Sequence, residues 1–183
     1  MFSGKTEELI RRLRRLCSAG RQVAVFKPAI DRRYDPQAIV SHSRQSLTAQ
    51  PIADASELRG RVGADIEALG VDEAQFFGDN LSPVLVSLVA GGRLVVVAGL
   101  DLDYRGAPFG PMPAVMKAAD RIKRKLATCA RCGRRASRTQ RLVGGDQQVL
   151  VGAHEAYEAR CRGCHRTAAA PAGAAAGRVR AAS

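Results

Sequence analysis

Aromatic side chains are scarce in this sequence, 4% of 183 residues with no tryptophan, which weighs against a protein that grips nucleic acid by stacking bases on rings. Acidic residues are also few, 17 against 29 Lys and Arg, leaving a net charge of +12. Such an excess suits a polyanionic partner, either nucleic acid or a polyphosphate. The arginines, however, are scattered over residues 11–15, 121–141 and the C-terminal end, and a genome favouring Arg and Ala codons explains the charge equally well. Hydrophobic content is 46%, yet no uninterrupted apolar run reaches about 18 residues, so no membrane-spanning helix is expected. No secretory leader precedes the first motif, and a cytoplasmic location is the expectation. The length allows one sizeable core and one small appended unit.

What is present centres on residues 66–77. An apolar-leaning run from Ile66 to Val71 ends in two adjacent carboxylates, Asp72 and Glu73, followed by Ala74, Gln75, Phe76 and Phe77. Neighbouring residues at a strand's end point to opposite sides, so one acid can face a cation while the other accepts a proton from a hydroxyl. Two solvated acids at a strand end is the plain alternative. Residues 3–6 read Ser3-Gly4-Lys5-Thr6, the second half of a phosphate-binding loop. Gly4 admits backbone N–H groups to phosphate oxygens, Lys5 adds charge and Thr6 offers a hydroxyl to Mg²⁺. The loop's first glycine and its feeding strand would fall before Met1, so the native polypeptide is expected to begin upstream.

An amphipathic helix follows, with Leu9, Ile10, Leu13, Leu16 and Cys17 on the inner face and Arg11, Arg12, Arg14 and Arg15 outside. Strands are predicted at 22–26, weakly at 39–42, at 66–71 and at 94–98, the last as a central strand. A loop reaches Pro51, a short helix capped by Asp54 or Ser56 runs toward Val62, and a longer helix carries Leu81, Val84, Leu85, Leu88 and Val89. Strands alternating with helices imply a parallel sheet whose ligands gather at the strands' carboxyl ends, bringing Gly4, Asp72 and Gly99 to one edge. Arg33 either reaches phosphates from its polar corner or forms an exposed salt bridge. In the Gly- and Pro-rich stretch 99–113, Leu100, Tyr104 and Phe109 either line a pocket for a flat ring or are ordinary loop packing.

Two C-x-x-C pairs, Cys129/Cys132 and Cys161/Cys164, are separated by 28 residues (133–160), the spacing of a four-thiolate structural zinc site. A disulfide framework fits poorly without a leader, and a haem-attachment reading of 161–165 leaves the other pair unexplained. The insertion between the pairs reads as a lid on a metal-pinned base. Residues 166–183, rich in Ala, Gly, Pro and Arg, read as a disordered tail.

Residues 1–6, 72–77, 99–101 with 108–111, 139–141 and 152–157, in that order, together with both Cys pairs, resemble the type II thymidine kinases from Met1 to about His165. The resemblance implies an α/β P-loop parallel sheet with helices on both faces over 1–126, a zinc-binding lasso or lid over 127–166, and a tail over 167–183. It implies ATP- and Mg²⁺-dependent phosphorylation of the 5′-hydroxyl of thymidine and deoxyuridine. By position, Glu73 resembles the general base, while Met1, Phe2, Ser3, Gly4, Lys5, Thr6, Asp72, Gln75 and Arg33 resemble the ATP and Mg²⁺ site. Phe76, Leu100, Tyr104, Phe109, Thr139, Leu150 and Tyr157 resemble the nucleobase pocket, with Tyr104 standing where many members have Phe. Structural Zn²⁺ on the four cysteines, with His165 as an alternative ligand, a homotetramer and inhibition by thymidine triphosphate complete the expectation. Two rival readings remain at this point: a zinc-dependent nucleic-acid binder, and an inactive nucleotide-binding relative.

Overall fold

In the computed structural model, which describes residues 1–31, 37–41, 44–145, 147–149 and 155–166, a helix comes first. The chain runs α1 (Lys5–Ser18), β1 (Val23–Pro28), β2 (Ala38–Val40), β3 (Ser46–Thr48), β4 (Gln50–Ile52), α2 (Glu57–Arg61), β5 (Ala68–Val71), α3 (Leu81–Ala90) and β6 (Leu94–Val97). After it come α4 (Met112–Ala118), β7 (Ala127–Thr128), β8 (Arg135–Ala136), β9 (Arg138–Arg141) and β10 (Tyr157–Arg160).

Strands β4, β1, β5 and β6 form, in that order, one parallel sheet. Period-two alternation splits their side chains between two cores. Val25, Val96 and Ala98 face α1 and meet Leu9, Ile10 and Leu13, whereas Ala24, Phe26, Leu69, Val71, Val95 and Val97 face α2, α3 and α4. The architecture is therefore α/β, with a parallel sheet covered by helices on both faces. Gly70 points at α1, where a Cβ would collide with Cδ1 of Leu13 and lie 3.2 Å from its Cδ2. The missing side chain lets the helix settle onto the sheet.

Several local expectations change. Cys17 is exposed rather than core, because the last turn of α1 overruns the sheet and only Leu9, Ile10 and Leu13 are buried. The weak strand expected at 39–42 is present as β2, while the loop expected from there to Pro51 contains β3, which pairs with β2 as an antiparallel hairpin, and the edge strand β4. Pro51 is tolerated there because an edge strand can spare an N–H. Strand β6, expected at the centre, pairs only with β5 among the described residues and lies at the other edge. Its β-branched run meets apolar side chains on both faces of the sheet. The tail 167–183 lies outside the described residues.

Beyond α4, two small antiparallel ladders, β7 with β8 and β9 with β10, carry the cysteines. Phe2 packs on their shared core of Cys129, Ala136, Ala159 and Cys161. On α1, Glu8 pairs with Arg11, Arg12 and Lys123 at 2.6–3.0 Å, tying the 121–125 segment to the helix.

Since Leu13 is fully buried and cannot swing aside, Gly70→Ala is expected to destabilise the fold by about 1–3 kcal/mol, read as a lower urea midpoint with an unchanged slope.

Candidate active site

Gly4 adopts φ 72° at the N-cap of α1, a conformation that suits glycine, and turns the chain so that the helix's first N–H groups open on a cleft. Met1, Phe2, Ser3, Gly4, Lys5 and Thr6 line it, together with Asp72 and Glu73 from the carboxyl end of β5. The positive end of the helix dipole and the Lys5 ammonium make the cleft suited to phosphate oxygens. Lys27, which sequence reasoning did not single out, lines the same cleft at 3% exposure and donates from Nζ to the Ala38 carbonyl at 3.0 Å. Its signal was a charge placed at the carboxyl end of a buried parallel strand.

Asp72 is 4% exposed, and its Oδ2 accepts the Thr6 hydroxyl at 2.9 Å while Oδ1 accepts the Glu73 N–H at 3.0 Å. Burial first, and then the charge of Glu73, push its pKa up to about 7 against the pull of Thr6, the Glu73 N–H and Lys5. A buried carboxylate so short of positive charge, beside a hydroxyl, is the hard-oxygen donor set that Mg²⁺ takes. The residues present therefore fit a magnesium ion arriving with nucleotide.

Glu73 has φ 47°, left-handed for a residue with a side chain, at the start of a 3-10 turn, Ala74–Phe76. The Ala74 N–H bonds to the Ala98 carbonyl at 3.0 Å and fixes that turn to the end of β6. Strain of this kind, about 1–3 kcal/mol, persists where the surroundings over-determine it. Here it places Glu73 on the wall shared by the phosphate cleft and a second pocket.

The second pocket gathers Phe76, Leu100, Tyr104, Phe109, Thr139 and Tyr157, from four separate segments. Phe76 and Phe109 meet edge to face, centroids 5.7 Å apart. Tyr104 lies within cation–π distance of both Arg105 and Arg141, at 5.2 and 5.1 Å. Asp103, buried and not anticipated, shapes the loop by accepting the N–H groups of Arg105 and Ala107 on Oδ1 and the Gln148 amide on Oδ2. Gln75 lines this pocket and not the phosphate cleft. Arg33 and Leu150 lie outside the described residues.

The sulfurs of Cys129, Cys132, Cys161 and Cys164 all lie within 4.8 Å of one another, with Cys132 and Cys161 at 3.6 Å. Tetrahedral Zn–S bonds of about 2.3 Å set sulfurs about 3.8 Å apart, so the cluster fits zinc. Hydrogen bonding from Arg134 lowers the Cys132 thiol to about 6, while crowding by Cys132 and Cys161 raises Cys164 to about 12. Four thiolates thus converge where only a cation can hold them all ionised. His165 is not among them: its Nε2 faces the Tyr104 carbonyl at 2.8 Å and joins the cysteine knuckle to the pocket loop.

A hydroxyl lodged in the second pocket would meet a carboxylate at the very wall beyond which phosphates lie, the arrangement of a P-loop kinase with a small-molecule acceptor. Comparison with known proteins narrows the class. The family model for thymidine kinase matches residues 1–165, and a thymidine kinase of Bdellovibrio bacteriovorus is 52% identical over 162 residues, covering 88% of this chain and 79% of that protein. The chain belongs to the thymidine kinase family, an enzyme family, and the readings as a nucleic-acid binder or an inactive relative give way to it.

Two outcomes are expected. Asp72 titrates near 7 when folded and near 3.8 ordinarily, so the cost of its buried charge is absent below about pH 4, grows between, and is full above about 7. Asp72→Asn is therefore expected to stabilise the nucleotide-free protein by about 1–3 kcal/mol at pH 8 and much less at pH 4.5, while turnover falls; thermal unfolding at both pH values checks it. Chelation of the purified protein, or Cys161→Ser, is expected to release zinc and lower the melting temperature, read by metal analysis and calorimetry.

Proposed function

We propose that the chain transfers the γ-phosphate of ATP to the 5′-hydroxyl of thymidine, and also of deoxyuridine, with Glu73 as general base. The observation that carries this reading is the position of Glu73 on the wall common to the phosphate cleft and the pocket of Phe76, Leu100, Tyr104, Phe109, Thr139 and Tyr157. The pyrimidine ring rests among these side chains, which orients its sugar toward Glu73. The Glu73 carboxylate takes the proton of the 5′-hydroxyl as that oxygen bonds to the γ-phosphorus and the bond from the γ-phosphorus to the bridging β,γ-oxygen breaks, releasing ADP. Gly4, Lys5 and the first turn of α1 hold the phosphates in line. Asp72 and Thr6 would hold the magnesium ion, which supplies charge neutralisation on the phosphates.

In this reading residues 1–126 bind the nucleotide and residues 127–166 close over the nucleoside as a zinc-pinned lid. The resemblance to the family supports, as further proposals, a cytoplasmic homotetramer inhibited by thymidine triphosphate. Glu73→Gln is expected to lower kcat by about 100- to 10,000-fold with little change in the KM for ATP, measured as thymidine monophosphate formed. Retained turnover would overturn the assignment of the base.

A further inference from the structure

Gln75 is 2% exposed on the 3-10 turn just past Glu73, and its one amide spans two functional segments. Oε1 accepts the N–H of Leu100 at 2.9 Å, and Nε2 donates to Oε2 of Glu73 at 2.5 Å. The direction of the amide follows from its partners. The Leu100 N–H can only donate, so the oxygen must face it, and the NH₂ is left for a carboxylate that, ionised, can only accept.

The surrounding loop is built around this side chain. At Gly99 a Cβ would stand 3.0 Å from Oε1 of Gln75 and 2.8 Å from Sδ of Met112. Gly110, at φ 50°, passes so close to the Gln75 carbonyl that a Cβ there would collide with it. Two glycines thus let the backbone of 99–110, which contributes Leu100, Tyr104 and Phe109 to the nucleobase pocket, wrap directly on Gln75.

From this geometry we infer that Gln75 is a positioning residue: it holds the Glu73 carboxylate toward the acceptor and locks it to the loop that seats the nucleobase. The inference rests on Glu73 being the base. A glutamate has several rotamers to lose, and displacement of a reacting group by about 1 Å can cost 100-fold in rate. One buried amide fixes the base relative to the ring pocket, so proton acceptor and substrate are set in the same frame. The ATP role expected for Gln75 from family position is replaced in this assignment by contact with the base.

A double-mutant cycle on kcat tests it. Gln75→Met is expected to lower kcat about 10- to 100-fold while the KM for ATP changes less than about twofold. In a Glu73→Gln background the same substitution is expected to cost nothing further, since the group it positions is gone. Gln75→Glu keeps an acceptor for the Leu100 N–H but sets carboxylate against carboxylate, and is expected to lose at least as much turnover; it carries the cycle if thermal unfolding shows Gln75→Met misfolded. Independent, multiplicative losses overturn the inference alone, as does an unchanged kcat with a raised KM for ATP. Turnover that survives Glu73→Gln overturns the general-base reading and this inference with it.

Discussion

The hydrogen bond from the Thr6 hydroxyl to the buried Asp72 carboxylate joins positions 66 residues apart, and much of the active-site geometry depends on it. It fastens the N-terminus of α1 to the carboxyl end of β5, across the mouth of the cleft. It also stores an imbalance. A carboxylate held where its charge is poorly compensated makes the site costly without a cation, so in the proposed reading part of the binding free energy for a metal–nucleotide complex would be set aside by the fold itself.

A second constraint ties the pocket of Phe76, Tyr104 and Phe109 to the cysteine knuckle. Tyr104 sits in the loop after β6, but its carbonyl is bonded by His165, next to the last cysteine, and its ring lies near Arg141 of β9. Asp103 meets Gln148 by a similar link. The pocket is therefore assembled between parallel-sheet loops and antiparallel ladders, and the thiolate cluster determines where the second wall stands.

Much of this was legible in the residues. The helix α1, the strands β1, β5 and β6 and the helix α3 each carry an apolar run long enough to show its period, and the four cysteines announce themselves by spacing. Strand β2 registered only weakly, and β3 and β4, three residues each, are too short for any period to show. Cys17 had helical spacing in its favour, but whether a last turn still overlies a sheet is a matter of strand length, not of helix pattern. Likewise β6 shows how apolar it is, not how many strands flank it. At the site, Lys27 and Asp103 escaped notice because their burial is a product of tertiary packing, whereas Gly4, Lys5, Thr6, Asp72 and Glu73 belong to local patterns.

The two borders of the sheet differ in kind. On one, Pro51 in β4 offers no N–H, so that side is chemically closed to further growth. On the other, β6 presents Leu94 at 45% exposure and half-buried valines, with Val86 and Val89 of α3 beside it. Among the described residues, then, the two borders offer unlike backbones: the β4 border lacks the N–H of Pro51, whereas the β6 border has no proline.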